Sequence, residues 1–342
     1  MTATGQVVGD AGELELLRLL QPHLASASER LMVPAGDDGA VWQPAAGKAV
    51  VTTTDSLVED VHFHRADGDG GFYRDLGWKL LAVSLSDIAA MGAEPGPSFF
   101  ALTLPADWPV GDLNALYEGL SECAARWGSE LAGGNLSAGR VAVLTSVCLG
   151  EVADDRVLRR AGAEPGWSLA VTGRLGGAAA ALRVLHDPDS EAARTTAPGT
   201  MALWRARLRR PLPRLEEAPA LVDAGIRVCL DVSDGVFLDS RRLLRQGLGL
   251  LIDPNALPLE DGVGEGFPDD WLGVAGGGED YELLFAGPAE VVEAACAGVK
   301  ASGTEARVIG RFDRGQGVRL SGADAAEALA PDAGHRHFGG PS

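Results

Sequence analysis

Four carboxylate-bearing turns are spread along this chain: Gly36-Asp37-Asp38-Gly39, Thr53-Thr54-Asp55, Asp231-Val232-Ser233-Asp234-Gly235 and Gly277-Gly278-Glu279-Asp280. Each stands beside glycine or closes an apolar run. Capping of helices alone is a poor account of so many acidic turns, whereas an active site gathers them at strand ends. Hard divalent cations take oxygen ligands, and magnesium is commonly shared between one or two carboxylates and substrate phosphates. The pattern therefore points to a cage for several magnesium ions and to phosphate chemistry.

Charge narrows the range of partners. With 48 acidic and 29 basic residues the formal charge is -19, a field that repels nucleic acid and anionic membranes. At 342 residues the chain exceeds the size at which one hydrophobic core stops growing, so two domains are expected. Cys123, Cys148, Cys229 and Cys296 have no CxxC spacing and lie in apolar contexts, as buried thiols do. No basic and apolar leader opens the sequence, and no apolar run approaches the ~20 residues that span a bilayer. These features predict a cytoplasmic protein with neither a nucleic-acid nor a membrane partner.

Along the chain, Leu14, Leu17 and Leu20 recur at helical spacing within Glu13–Leu20, after a leader expected to be mobile. The β-branched run Ala49–Thr54 predicts a strand that delivers Asp55 at its C-terminal end. A long helix is expected from Phe72 to about Met91, and a strand over Val141–Leu149. Texture becomes charged and turn-rich near Glu151–Pro165, which places the domain boundary there: residues 1–150 form one domain and 151–342 the other. Beyond it, Leu169–Gly173 and Gly177–Leu182 predict strand, turn and helix. Asp187–Thr200 and Asp253–Asp270 are expected to be polar loops.

Between Lys79 and Glu94 every residue is apolar, glycine or serine except Asp87. A buried carboxylate needs a partner, and a metal ion, a helix N-terminus or an arginine each satisfies that demand. Asp231 and Asp234 flank a turn between a strand at Ile226–Leu230 and a helix at Phe237–Leu244, where Gly235 relaxes the backbone. A capping role for Asp234 or Ser233 and a metal-binding role both fit that position. Other nucleotide signatures are missing: there is no GxxxxGK[ST], GxSxG or HExxH. Gly173-Arg174-Leu175-Gly176-Gly177 could place helix N-terminal amides near an anion, but the pattern fits a packing turn better.

Five motifs in order carry a more specific resemblance. Gly36–Val41, Thr53–Phe63, Leu85–Ala93, Asp231–Gly235 and Gly277–Leu283 resemble those of the thiamine-monophosphate kinases, and the similarity spans nearly the whole chain. It implies ATP-dependent phosphorylation of thiamine monophosphate to thiamine diphosphate, with no protein nucleophile. It also implies a homodimer of two-domain subunits with a mixed α/β, aminoimidazole ribonucleotide synthetase-like fold. The N-terminal domain would bind ATP and magnesium and dimerise, and the C-terminal domain would complete the active site.

Position by position, the resemblance places Asp37, Thr53, Thr54, Asp55, Asp87, Asp231 and Asp234 on magnesium. Gly134, Asn135, Arg160, Ser233 and Tyr117 fall on ATP, and His62 and Glu279 on the acceptor. His335, within Gly334–Phe338, stands where the family presents an aromatic to thiamine. One departure is marked: the family carries Gly-Gly-Asp-Thr where this chain reads Gly133-Gly134-Asn135-Leu136, so an amide stands at a metal-facing carboxylate position. Selenophosphate synthetase and the hydrogenase-maturation dehydratase share the architecture but use cysteine or selenocysteine positions that this sequence does not show. The remaining alternative is a silent relative that binds nucleotide or thiamine phosphate without turnover.

Overall fold

A computed structural model describes residues 6–65 and 71–322. The chain has a mixed α/β architecture in two compact units. One comprises the residues up to Ile88 together with Ala93–Asp155, and the other Ala89–Gly92 with the residues from Arg156 onward.

The first unit opens with the short helix Val8–Ala11, then the Glu13–Leu20 helix and a small ribbon of β1 (Leu31–Val33) and β2 (Val41–Trp42). A four-stranded sheet follows, built from β3 (Lys48–Val58), β4 (Glu94–Leu104), β5 (Glu130–Ala138) and β6 (Val143–Ala153), in the order β3-β6-β4-β5. β6 is antiparallel to β3 and β4, while β4 and β5 run parallel. The β3 strand is longer than Ala49–Thr54 predicts. Ser56-Leu57-Val58 continues the alternation, and buried Leu57 pairs with Leu144, so Asp55 lies within the strand opposite Ser146 rather than at its end. β6 likewise starts at Val143 and carries on through Glu151, whose charge looks like a turn signal in sequence but is internally paired.

Glycine sets the helix packing. A Cβ at Gly77 would lie 1.9 Å from the Leu116 carbonyl oxygen, and one at Gly119 would lie 1.8 Å from that of Arg74. The Phe72–Ala90 and Val110–Trp127 helices therefore approach closely only because both positions lack a side chain. Gly92, at φ +71°, ends the first of them, with the Ala93 amide bonded to the Ile88 carbonyl and the Gly92 amide to that of Ala89.

In the second unit β7 (Ser168–Thr172), β8 (Val228–Asp231), β9 (Leu248–Ile252), β10 (Leu283–Gly287), β11 (Ala306–Arg314) and β12 (Gly317–Leu320) form one sheet in the order β12-β9-β11-β7-β10-β8. Only the β12–β9 pair is parallel. Successive side chains point to opposite faces. Leu169, Val171, Leu230 and Leu284 enter one core cluster, while Ala170, Cys229 and Phe285 enter another with the Ala218–Ala224 and Ala289–Ala301 helices. Burial on both faces explains why these strands read as unbroken apolar runs.

Two segments expected to be loops are helical. Within Asp187–Thr200 run the helix Glu191–Thr195 and, from its third-last residue on, the helix Pro198–Arg209. Ser190 caps the first, its hydroxyl accepting the Ala193 N–H at 3.2 Å, and Pro198 opens the second. Trp204 and Leu208 give the second helix its buried face, which the polar composition ahead of it conceals. Asp253–Asp270 holds a 3-10 turn, Pro254–Ala256, capped by Asp253, and the short helix Val263–Gly266. Among the described residues no helix is long and apolar enough to cross a membrane.

Candidate functional site

In the first unit, strand alternation sorts the Thr53-Thr54-Asp55 motif. Thr53 and Asp55 share one face of β3, and Thr54 lies on the other, where its hydroxyl donates to the Ser146 carbonyl at 2.9 Å. The Phe72–Ala90 helix brings Ser84 and Asp87, three residues apart on one helix face, to the Thr53 and Asp55 side chains. The Thr53 hydroxyl bonds Asp87 Oδ2 at 2.5 Å, and the Ser84 hydroxyl bonds Asp55 Oδ2 at 2.9 Å. Buried Ser84 and Ser146 share a further hydrogen bond of 2.7 Å. Burial, joined by the neighbouring Asp87 charge, pushes the Asp55 carboxyl up to about 6, against the pull of Ser84. Two carboxylates and hydroxyls thus converge in these contacts.

Asp37 is exposed in the loop between β1 and β2, its Oδ1 accepting the Asp38 N–H at 2.9 Å. The ribbon carrying that loop is pinned by Glu151, which is 2% exposed. Its Oε1 accepts from Arg30 at 3.0 Å and from Lys48 at 3.1 Å, and its Oε2 accepts the Ala45 N–H at 2.8 Å. Burial alone would raise the Glu151 carboxyl, but these donors outweigh it and hold it below the ordinary value.

β5 brings Gly134 against β4 so tightly that a Cβ would lie 2.0 Å from the Phe100 carbonyl oxygen. Neighbouring Asn135 is exposed and donates through Nδ2 to Ser137 Oγ at 2.8 Å. Tyr117 is a buried core residue of the Val110–Trp127 helix. His62 sits in the tight turn after β3, where Asp60 takes φ 64°. Its Nδ1 accepts the Val58 N–H at 3.1 Å, which leaves the ring proton of neutral imidazole on Nε2.

The second unit joins two of the acidic turns directly. The Glu279 amide bonds the Ser233 carbonyl, and the Tyr281 amide bonds that of Val232, each at 2.8 Å. A Cβ at Gly235 would lie 2.0 Å from the Gly276 carbonyl oxygen, and one at Gly278 would lie 2.4 Å from that of Ser233. The glycines are what let these backbones meet. Asp231 ends β8 and is buried, Asp234 is half-buried, and Glu279 and Tyr281 hold φ of 71° and 51°. Such conformations cost of order 1–3 kcal/mol each and persist where surrounding structure enforces them.

The chain neighbours Asp280 and Glu282 are anchored as well. Glu282 receives Arg214 in a fork, Nε to Oε2 at 2.6 Å and Nη2 to Oε1 at 2.5 Å, and also receives the Thr172 hydroxyl at 2.7 Å. Asp280 Oδ1 accepts the Gly176 N–H at 2.9 Å, and burial pushes its carboxyl well above the usual range. The Gly173–Gly177 loop therefore spends its Gly176 amide on an internal carboxyl. Arg160 is exposed after the β6 segment, in the same unit. His335 lies outside the described residues.

Among the described residues no three histidine, cysteine, aspartate or glutamate side chains gather as a closed metal cage. Pairs of carboxylates with hydroxyls suit magnesium nonetheless, because that ion is usually held by one or two carboxylates plus substrate phosphates.

Residues 36–152 match the family model for the AIR synthase related protein, N-terminal domain. Across nearly its full length the chain is also 34% identical to the thiamine-monophosphate kinase of Synechococcus elongatus, covering 97% of this chain and 98% of the relative. The chain belongs to the thiamine-monophosphate kinase family. The thiamine-monophosphate kinase structure from Stenotrophomonas maltophilia superimposes with a TM-score of 0.80 at 32% identity, covering 92% and 96% of the two chains. A structure of AaThiL complexed with AMPPCP and TMP gives a TM-score of 0.72 at 28% identity over 98% of this chain and 100% of its own.

Membership of the thiamine-monophosphate kinase family leaves several structural participants that the motifs do not announce. Ser84 and Ser146 hold Asp55, but serines in an apolar helix and strand read as small core residues. Asp239 is fully buried, and its Oδ2 accepts three successive backbone N–H groups, of Ser233, Asp234 and Gly235, at 3.0, 3.0 and 3.1 Å. Burial pushes its carboxyl up to about 6, against the pull of Arg242. The one available signal was an acidic residue five positions after Asp234 in an otherwise apolar turn of helix.

Proposed function

We propose that this chain transfers the γ-phosphoryl group of ATP to thiamine monophosphate, giving thiamine diphosphate. The near full-length match to the S. elongatus thiamine-monophosphate kinase carries the reading, and the oxygen-only donor pairs support it. Asp37, Thr53, Thr54, Asp55 and Asp87 of the first unit, with Asp231 and Asp234 of the second, would hold magnesium. Bound magnesium would neutralise charge on the phosphates and clamp them in line.

The chain's own part is positioning. Gly134, Asn135, Arg160, Ser233 and Tyr117 are assigned to the nucleotide, with Arg160 the one cation among them. His62 and Glu279 are assigned to the acceptor. The acceptor oxygen belongs to a phosphate whose second pKa is about 6, so it needs no general base near neutral pH. His335 is assigned to the thiamine ring.

We also infer a homodimer in the cytoplasm. The outward face of the four-stranded sheet, with Val50, Thr52, Thr54, Val147 and Phe99, mixes apolar and hydroxyl side chains left partly exposed, and Val50 is 46% exposed. The four cysteines are free thiols.

Incubation with magnesium, ATP and either thiamine monophosphate or thiamine, followed by separation of products, tests the activity. Thiamine diphosphate is expected from the monophosphate and no product from thiamine. Equal turnover of both, or thiamine monophosphate made from thiamine, would overturn the assignment.

Asn135 offers a neutral carbonyl where a carboxylate would add Coulomb attraction for a cation. Asn135→Asp is expected to lower the magnesium concentration for half-maximal rate about threefold. Magnesium titration at saturating ATP checks this, and an unchanged or higher requirement rules the account out.

A further inference from the structure

The Asp231–Gly235 turn is paired with a cation of the same chain, Arg242. Three consecutive amides of that turn converge on one oxygen, an arrangement that ordinarily binds an anion. Here the anion is internal: Asp239 Oδ2 fills the concavity. With these three amides satisfied by Asp239, they are not available to a phosphate, and the turn offers side chains instead: the Ser233 hydroxyl and the carboxylate of Asp234.

The other oxygen of Asp239 binds Arg242. Arg242 Nη1 donates to Asp239 Oδ1 at 2.7 Å, while Nη2 of the same guanidinium pairs with Asp234 Oδ2. One arm of the fork therefore rests on a fully buried carboxylate, and the other on a half-buried carboxylate assigned above to magnesium. The two contacts differ in cost of release. Freeing Arg242 from Asp239 would strand a buried charge, whereas freeing it from Asp234 exposes a carboxylate that another cation can take.

We propose that Arg242 is an internal counter-ion of Asp234, which a divalent cation must displace, and that Asp239 anchors the guanidinium so that it re-pairs when the cation leaves. Arg242 is then a positioning residue that sets the metal affinity of the second unit. The proposal rests on the assignment of Asp234 to magnesium. Competition of this kind weakens metal binding by the strength of the pair that must be broken.

The test uses Mn2+ binding, read by electron paramagnetic resonance, on full-length protein carrying Asp55→Asn so that the carboxylates of the first unit do not dominate. Arg242→Gln is expected to bind Mn2+ at least threefold more tightly than its Arg242 parent, and Arg242→Lys to bind with the parent's affinity. In the otherwise wild-type enzyme, Arg242→Gln should reach half-maximal rate at correspondingly lower magnesium with the KM for ATP unchanged. Equal or weaker Mn2+ binding by Arg242→Gln overturns the proposal, as does a raised KM for ATP without a change in Mn2+ affinity, which marks Arg242 as a phosphate ligand. Arg242→Met keeps the apolar stem, and failure of both neutral variants to fold while Arg242→Lys folds would make Arg242 purely structural and overturn it equally. Wild-type protein that does not phosphorylate thiamine monophosphate sinks the functional assignment, while the Mn2+ measurement still decides the role of Arg242.

Discussion

Asp55→Asn is expected to be a more stable protein and a nearly inactive one. Asp55 shares its pocket with Asp87, and its carboxyl is pushed up to about 6 chiefly by burial. Carrying the charge at neutral pH therefore costs the folded state roughly 1–3 kcal/mol, which an amide does not incur. The Ser84 hydroxyl that donates to Asp55 Oδ2 keeps an acceptor in the asparagine. The sign with pH follows. A carboxyl whose pKa is raised on folding binds more protons in the native state, so its penalty is full above about 6 and fades as pH falls toward 4. In metal-free buffer the variant should melt a few degrees higher than wild type at pH 7.5, with the gap closing by pH 4.5. Activity should move the other way, by at least ~3 kcal/mol of transition-state stabilisation, roughly a hundredfold, if the carboxylate fixes a clamping magnesium ion. A variant that melts lower and turns over near the wild-type rate at limiting magnesium would make Asp55 a structural residue.

That opposition between stability and activity is also why the acidic turns were legible before any fold was known. Asp87 stands out because a charge in so apolar a stretch of helix needs a partner, and the structure puts a second carboxylate and a threonine hydroxyl around it. Glycines beside the carboxylates were equally readable. At Gly134, Gly235 and Gly278 a side chain would collide with a backbone carbonyl, so the glycine records a close approach and not mere flexibility.

What escaped the sequence was the support around those residues. Strand length decided the fate of Thr54: because β3 runs on to Val58, Asp55 is mid-strand and Thr54 faces away from it. Any oxygen Thr54 offers to a metal from its side chain would have to come from the opposite sheet face. The helices at Glu191–Thr195 and Pro198–Arg209 were hidden because small polar residues near a capping serine and a proline resemble a loop until Trp204 and Leu208 supply the buried face. Asp239, Arg242 and the Glu282–Arg214 pair act through contacts between positions that local pattern does not relate. Arg214 and Glu282 are 68 residues apart. Composition gives no reason to connect them.

That pair carries the largest stability effect expected in the second unit. Arg214 and Glu282 are both buried, and Glu282 directly follows the strained Glu279–Tyr281 segment in the chain. For Arg214, burial works against the charge and the Glu282 carboxylate outweighs it, so the guanidinium stays ionised. Glu282→Gln removes the countercharge and leaves that ion in a dry environment, with Glu217 its remaining carboxylate contact at 3.4 Å. A loss of about 3–5 kcal/mol is expected, since breaking one side of a buried pair costs more than the pair itself contributes. Removing both charges should be milder. Arg214→Gln with Glu282→Gln is predicted to be more stable than the two single losses added together, by at least ~1 kcal/mol. Where the single Glu282→Gln protein remains folded, a loosened Glu282 should disturb the neighbouring Glu279, whose φ is 71°; if Glu279 holds the acceptor, as proposed, the KM for thiamine monophosphate should rise more than kcat falls. Urea unfolding of the four proteins of the cycle measures the coupling, and steady-state kinetics measures the second effect. Strictly additive losses would show that the fork does not act as a unit, and an unchanged KM in a destabilised Glu282→Gln protein would separate the buried pair from the positioning of Glu279.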